Sequence, residues 1–285
     1  MSARIDSVND GQLLLDGGAM FGVVPKVLWE RKCPADDRNR ILLGLHCLII
    51  EGDGFRALVD TGVGDKGDEE FAEIYGLEKS GALLDALAAK GLMPADFTHV
   101  INTHLHFDHC GGNTRLNDLG LPQASFPVAR YVVQQGEWEE ALSPGERSRT
   151  SYLEADFLPL KAAELLDLVE GEMEILPGVT LIPTPGHTRH HQSILVQTPE
   201  GPVFHPGDLI PTSRHLALPW IMSYDLYPVE TLESKRRILD RAHEEAWKFY
   251  FQHEPGDSPY GEIEWMATKK GEKPVFRPLP LPRRD

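Results

Sequence analysis

The sequence predicts a mixed α/β fold, and three observations support this prediction. Short apolar runs bounded by turn residues alternate with segments of helical periodicity along the 285 residues. Several apolar runs end directly on a His or an Asp, which places polar side chains at strand ends. No low-complexity linker divides the chain, so we expect residues 1–285 to form one domain.

The predicted strands are apolar runs of the length and composition that buried strands have, each flanked by turn residues. A last strand is expected close to the end of the chain. In order, the predicted strands cover residues 56–60, 98–102, 179–182, 193–196, 202–204, 249–251 and 274–276.

Two longer segments have helical periodicity. Ser80 is placed as the N-cap of a helix that carries Leu83 and Leu87 on one face and ends at Gly91. A second helix is predicted over residues 229–247, where apolar residues recur at helical spacing. Both helices are expected to be structural.

The chain is strongly acidic, because 28 Lys and Arg residues stand against 44 Asp and Glu residues and give a formal net charge of −16. This charge repels phosphate backbones and anionic lipids, so neither nucleic acid nor a membrane is an expected partner. The longest apolar run, residues 41–50, is about half the length of a bilayer span. Three cysteines without a CxxC pair and the lack of a secretory signal pattern predict a cytoplasmic protein.

A dense group of metal-binding residue types follows the predicted strand at 98–102. The stretch THLHFDHCGGN contains His104, His106, Asp108 and His109 within six positions. In extended backbone, side chains two residues apart point to the same side, so His104 and His106 can bind one ion. A turn at Phe107 would direct Asp108 and His109 to a second ion. Satisfied polar residues at a strand end are the alternative, but burying three imidazoles and a carboxylate without an ion is costly.

Three further candidate ligands each follow an apolar strand and occupy a turn. They are His187 in TPGHT, Asp208 in HPGD and His253 in FQHEP. Together with the first group they could complete a site for two metal ions.

These residues resemble the metallo-β-lactamase superfamily, whose pattern H-x-H-x-D-H followed by a distant His, Asp and His is matched position by position. The motif VDTG at residues 59–62 is similar to the first-strand motif of that family, in which the Asp supports the metal loop. The resemblance implies a four-layer αβ/βα sandwich with the site at one edge of two packed sheets. It implies that one ion is held by His104, His106 and His187, the other by Asp108, His109 and His253, with Asp208 between them and Asp60 behind them.

Within the family, a bridging Asp208 and a terminal His253 are more similar to the lactonase, glyoxalase II and phosphotriesterase branches than to the true class B β-lactamases. The similar acyl-homoserine lactone lactonases carry a Tyr three residues after the bridging Asp, where this chain has Pro211. Tyr224 or Tyr227, in the long apolar connection 209–228, is a candidate to replace it.

The expected cofactors are two divalent ions. Zinc is the default expectation and iron, manganese or cobalt are the alternatives. Two such ions would generate a hydroxide nucleophile near neutral pH, with Asp108 moving the proton and Tyr224 contacting the substrate. The predicted pocket wall is apolar, although residues 216–227 could instead form core or a dimer surface. The wall is expected to contain Met20, Phe21, Phe107, Trp220, Ile221, Met222 and Tyr224.

The leading hypothesis is a dinuclear metal hydrolase that acts on a neutral, apolar lactone or ester. A phosphotriesterase or a glyoxalase II-type thioesterase stays open within the same class, and a non-catalytic metal-binding protein is the alternative from another class. A small-molecule substrate is the expected partner, and a homodimer is left open. Arg189 and His190 are expected either to enter the pocket or to lie in a solvated turn.

Overall fold

The computed structural model describes residues 2–77, 81–268 and 271–282, and within them the strands form two large sheets. A small two-stranded hairpin stands apart from them. The strands are β1 Arg4–Asp16, β2 Arg40–Gly52, β3 Phe55–Val59, β4 His99–Ile101, β5 Thr114–Leu116, β6 Pro122–Ala124, β7 Arg130–Gln134, β8 Leu166–Val169, β9 Met173–Leu176, β10 Val179–Pro183, β11 Gln192–Thr198, β12 Gly201–His205, β13 Lys248–Tyr250, β14 Tyr260–Thr268 and β15 Gly271–Pro278.

The helices lie mostly between strands that share a sheet, and short 3₁₀ turns interrupt the longer connections. The 3₁₀ turns cover Pro94–Asp96, Gly111–Asn113, Gly207–Leu209 and Ser213–Leu216. The helices are α1 Gly17–Phe21, α2 Lys26–Trp29, α3 Glu69–Tyr75, α4 Leu83–Ala89, α5 Phe107–Cys110, α6 Gln135–Leu142, α7 Glu154–Ala162 and α8 Pro228–Glu244.

The first sheet has the strand order β1-β2-β3-β4-β7-β8 and the second the order β15-β14-β13-β12-β11-β10-β9. In the first sheet β3, β4, β7 and β8 are parallel, so the carboxyl ends of β3 and β4 meet at one edge. In the second sheet β12 and β13 are parallel, and β10 has the same direction because β11 is antiparallel to both β10 and β12. Every donor predicted from the sequence therefore follows the carboxyl end of a strand.

Three apolar layers hold these elements together. The first fills the space between the two sheets and includes Ile50, Val59 and Val196. Helices α4 and α7 pack on the outer face of the first sheet, and α8 packs on the outer face of the second through Ile238 and Leu239. Burying a side chain of this size contributes roughly 1.5–3 kcal/mol. Helices thus cover both sheets, which confirms the predicted four-layer αβ/βα sandwich.

All seven predicted strands are present, and the second predicted helix corresponds to α8. Helix α4 carries Leu83 and Leu87 inward and is followed by Gly91 at φ +73°, whereas the predicted cap Ser80 lies outside the described residues. The sequence reasoning missed the long antiparallel pair of β1 and β2, because β1 mixes charged and apolar residues and carries a bulge between Asn9 and Gln12. No described helix has the length and apolar character that a membrane span needs.

Candidate metal centre

The metal loop leaves the first sheet at the end of β4 and turns into α5. His104 follows β4, His106 has extended backbone, and α5 begins at Phe107, so that the next turn carries Asp108 and His109. All four donor side chains are buried. The chain then passes so close to the loop after β3 that a Cβ on Gly111 would lie 2.1 Å from the Val63 carbonyl oxygen. Glycine is therefore required where the metal loop leaves α5.

The first group of converging donors consists of His104, His106 and His187. Their ligand atoms all lie within 4.8 Å of one another. His187 comes from the loop after β10, and its Nε2 lies 3.0 Å from Nδ1 of His106. Two strands from different sheets thus bring three imidazoles to one point.

The second group consists of Asp108, His109 and His253, and its ligand atoms meet the same 4.8 Å limit. His253 follows β13, and its Nε2 lies 3.2 Å from Nε2 of His109. Oδ2 of Asp108 lies 3.7 Å from the His253 Nε2 and 4.0 Å from the His109 Nε2.

Asp208 lies between the two groups. Its Oδ1 is 3.3 Å from the Nε2 atoms of His109 and His253, and its Oδ2 is 3.3 Å from Nε2 of His187. One carboxylate therefore faces both groups. These seven side chains form what we call the donor cluster: His104, His106, Asp108, His109, His187, Asp208 and His253.

The donor cluster has the chemistry that divalent metal ions require. Nε2 of His104 is buried without a hydrogen-bond partner among the described residues, a state that normally costs free energy. Burial, followed by the neighbouring imidazoles, holds the pKa of His104 well below its usual value, so this ring is neutral and able to bind a cation. Although burial opposes it, the surrounding histidines hold the pKa of Asp208 well below its usual value, which keeps the carboxylate ionised. Five imidazoles and two carboxylates suit zinc, iron, manganese or cobalt.

Asp60 supports the metal loop from behind, as the resemblance implies. It is fully buried and has a backbone φ of +54°, an uncommon and strained conformation for a residue with a side chain. Its carboxylate accepts hydrogen bonds from the Thr103 amide at 2.8 Å and hydroxyl at 2.7 Å, and lies 2.9 Å from Nδ1 of His109. This contact fixes which nitrogen of His109 points into the donor cluster.

Three other contacts orient donors, and the sequence reasoning named none of them. Oδ1 of Asp225 lies 2.9 Å from Nδ1 of His187, and the Gly44 carbonyl oxygen lies 2.9 Å from Nδ1 of His253. His191 accepts the backbone N–H of Asp208 at 3.1 Å. Asp225 is a lone carboxylate in a long connection, and no local pattern distinguishes it.

Glu137 ties the two donor-bearing loops together. Its buried carboxylate accepts hydrogen bonds from the Leu105 amide at 3.0 Å, the Tyr152 hydroxyl at 2.9 Å and the Thr188 hydroxyl at 2.6 Å. Burial raises the pKa of Glu137 above its usual value. Since Leu105 lies between two donors and Thr188 follows a third, this residue keeps both loops at a fixed separation.

A cavity of about 290 Å³ opens above the donor cluster. Of the predicted wall residues, Met20, Phe107, Met222 and Tyr224 line it. The sequence reasoning missed several other lining residues, since they come from distant segments without a shared pattern. These further residues are Leu15, Tyr75, Arg147, Ser148, Thr150, Ser151, Ser223 and Leu226.

Three predicted wall residues do not reach this cavity. Phe21 is fully buried, with its ring stacked 4.7 Å from that of His215, and Trp220 packs against the edge of Phe21 at 5.5 Å. Ile221 borders a separate surface depression. The prediction was wrong for these residues because hydrophobicity does not distinguish the inner layer of a loop from its cavity face.

The structure also places Pro211, which stands where similar lactonases carry a tyrosine, and the two residues that follow the turn at His187. Pro211 is buried, and its carbonyl accepts the backbone N–H of His253 at 3.1 Å. The Arg189 guanidinium lies 4.3 Å over the ring of Tyr227, and His190 packs against Gly136. Arg189, His190 and Tyr227 are not among the described residues that line the cavity, which leaves Tyr224 as the candidate phenol from that connection.

We call residues 209–228 the wall segment, because this connection carries Met222, Tyr224 and Asp225. The side chain of Lys235, in α8, is fully buried and contacts this segment. Its Nζ donates to the carbonyl oxygens of His215, Ala217 and Trp220 at 2.6–3.0 Å, and the Leu218 carbonyl oxygen lies 3.5 Å away.

The fold and the donor cluster define a class of protein with two facing sheets and a dense His/Asp site at their shared edge. A family model described as Metallo-beta-lactamase superfamily matches residues 42–253, and the chain belongs to this superfamily.

Among curated proteins, an N-acyl homoserine lactonase from Bacillus cereus is 32% identical over 170 residues, which are 56% of this chain and 61% of that protein. The chain therefore spans about three fifths of this relative's length. Among solved structures, a probable metal-dependent hydrolase from Staphylococcus aureus has a TM-score of 0.86 at 30% identity, with 97% of each chain covered. An N-acyl homoserine lactone hydrolase with N-hexanoyl-L-homoserine bound at its catalytic metal centre has a TM-score of 0.70 at 25% identity, covering 90% of this chain and 95% of that one.

Proposed function

We propose that this chain is a metal-dependent hydrolase that opens neutral lactones with an apolar substituent, and that N-acyl homoserine lactones are the substrates to test first. The observation that carries the proposal is the convergence of seven donors at one end of a cavity with apolar side chains on its wall. The names of the relatives support the lactone as the reacting group.

The donor cluster would hold two divalent ions, with zinc as the default. When bound, two such ions lower the pKa of water and polarise a carbonyl oxygen. One ion would be held by His104, His106 and His187, the other by Asp108, His109 and His253, and Asp208 would contact both.

Asp108 is the proposed proton carrier, because its carboxylate is both part of the donor cluster and exposed to the cavity. It would accept a proton as the oxygen of water bonds to the lactone carbonyl carbon. When the ring C–O bond breaks, the same carboxyl would return the proton to the departing alkoxide oxygen. The product is a hydroxy acid, and no side-chain nucleophile is consumed.

Tyr224 is the proposed hydrogen-bond donor to the substrate. It lines the cavity, and burial raises the pKa of its phenol above the usual value, so it stays protonated. A neutral phenol can donate to the lactone or acyl carbonyl. Tyr224 would thereby replace the tyrosine whose position Pro211 occupies.

The apolar part of the wall favours a hydrophobic acyl group. Met20, Phe107, Met222 and Leu226 line the cavity beside the donor cluster. Removing such a group from water contributes about 25 cal/mol per Å² of apolar surface. The net charge of −16 acts against anionic substrates at long range and has no such effect on a neutral lactone.

A kinetic panel on the metal-loaded protein tests the proposal. Hexanoyl-homoserine lactone, an aryl ester, a paraoxon-like triester and a glutathione thioester would be compared by kcat/KM, with bound metal measured in the same samples. We expect the lactone to have the highest value. Two bound metals per chain without lactone or ester turnover would contradict the proposal, and an unchanged turnover in Asp108→Asn would contradict the role of Asp108.

A thioesterase is the second candidate, and Arg147 is the observation that favours testing it. Arg147 is the only Lys or Arg among the described residues that line the cavity, and its guanidinium donates to the Ser223 carbonyl. A glutathione carboxylate at the mouth would need such a cation. If Arg147→Gln lowers thioester turnover much more than lactone turnover, the thioester is the better assignment.

A further inference from the structure

A second depression, of about 540 Å³, lies outside the proposed active site. It is bordered by the loop after α2, the 3₁₀ turn Ser213–Leu216 and strand β15. It shares no described lining residue with the cavity above the donor cluster. Three cationic side chains from these segments line it, namely Lys32, Arg214 and Lys273. We call it the basic depression. Such a concentration of positive charge is unusual on a chain with a net charge of −16.

One carboxylate, that of Glu254, also lines the basic depression, and its hydrogen bonds are already in use. It accepts the Ser213 amide at 2.7 Å and the Ser213 hydroxyl at 3.0 Å, and it pairs with the Arg214 guanidinium. Glu254 therefore offsets one of three positive charges, and two remain in excess.

The remaining two cations, Lys32 and Lys273, are not paired in this way within the part of the chain that the structure describes. Neither Lys32 nor Lys273 forms a salt bridge with a carboxylate in residues 2–77, 81–268 and 271–282. Lys32 instead lies 4.2 Å over the ring of Trp220. Burial, and then the positive charge of Lys273, lowers the pKa of Lys32. The two ammonium groups thus repel each other across the depression, and an anion between them would remove that repulsion.

Part of the lining of the basic depression is apolar. Pro274, Val275 and Phe276 of β15 line it, together with Pro255. A depression lined by both cations and apolar side chains is suited to a ligand with an anionic head and an apolar body. A phosphate monoester carries about 1.5–2 negative charges near pH 7, which matches the two unbalanced positive charges.

We propose that the basic depression binds an organic phosphate monoester, with the phosphate between Lys32, Arg214 and Lys273 and the organic group against Phe276. Lysines act here as point charges on the phosphate, and the guanidinium nitrogens of Arg214 that do not contact Glu254 donate in a plane. This site does not depend on the proposed lactonase activity, because the basic depression contains none of the donor cluster.

Calorimetric titration of the metal-loaded protein with phenyl phosphate tests the proposal, with phenol and inorganic phosphate as the partial ligands. Lys32→Ser/Lys273→Ser removes the two unpaired cations. Lys26→Ser/Lys161→Ser removes two exposed lysines elsewhere and changes the net charge equally. Because a hydrogen bond to a charged group contributes about 1.5–3 kcal/mol, we expect the first double variant to bind phenyl phosphate at least tenfold more weakly. We expect no change in the second double variant.

Trp220 fluorescence provides a local readout, because the phosphate should draw the Lys32 ammonium away from this ring. We expect a saturable change with phenyl phosphate that is absent in Trp220→Phe. The proposal is overturned if wild type does not bind phenyl phosphate. It is also overturned if Lys32→Ser/Lys273→Ser binds as tightly as wild type, since the phosphate would then be bound at the donor cluster, or if phenol binds as tightly as phenyl phosphate.

Discussion

The donor cluster and the wall segment form the floor and one side of the same cavity, but different kinds of contact hold them. In the donor cluster, buried imidazole rings are oriented by residues within strands or directly after them. Asp60, which follows β3, contacts His109, and the carbonyl of Gly44 in β2 contacts His253. The wall segment lacks strand pairing, and three of its carbonyls accept hydrogen bonds from Nζ of Lys235. The donor cluster is thus positioned mainly by the two sheets, whereas the wall segment is positioned by side-chain and backbone contacts with other loops and helices.

Asp225 connects the two regions, because it belongs to the wall segment and lies 2.9 Å from Nδ1 of His187. A displacement of the wall segment around Asp225 should therefore reach His187 directly. Four substitutions test how independent the two regions are.

The largest effect is expected for Asp208→Asn, which acts inside the donor cluster. This change removes a negative charge between two groups of imidazoles, so at least one equivalent of metal should be lost. We expect kcat/KM for lactones to fall by about 10³-fold. Metal analysis and lactone kinetics measure both effects, with Asp240→Asn on the exposed face of α8 as the control. Normal metal content and turnover would show that Asp208 does not bind metal.

Lys235→Met should act on the wall segment alone. The change leaves buried carbonyls of the segment without their donor, and we expect the free energy of unfolding to fall by about 2–4 kcal/mol. Urea denaturation measures the loss, and limited proteolysis locates it. Lys161→Met, at an exposed position, is the matched control. Cleavage spread over both sheets, rather than within residues 209–228, would contradict a local role.

Asp225→Asn tests the connection between the regions. Losing the contact that orients His187 should weaken metal binding by about 10–100-fold. Competition with a chelator measures the affinity, and Asp240→Asn serves again as the control. An unchanged affinity would mean that the wall segment and the donor cluster are independent.

The contrast between the regions also explains what the sequence could predict. Four candidate donors stand close together in THLHFDHCGGN, and the other three each follow an apolar strand in a short turn, so local patterns predicted them as candidates. Asp225, Glu137 and Lys235 are single polar residues whose partners come from distant positions, and local patterns carry no information about such contacts. Met20 and Phe21 are neighbours in α1, yet only Met20 lines the cavity, because the burial of each depends on what packs against that short helix.

The smallest effect is expected for Tyr224→Phe, which removes one hydroxyl from the wall segment and leaves the ring. Because a hydrogen bond contributes about 0.5–1.5 kcal/mol, kcat/KM for hexanoyl-homoserine lactone should fall by about 3–10-fold while metal content and unfolding stay unchanged. Tyr75→Phe removes the other phenol that lines the cavity and is the matched control. An equal loss in both variants would indicate a general polar effect of the cavity. A loss in Tyr75→Phe alone would transfer the substrate contact from the wall segment to α3.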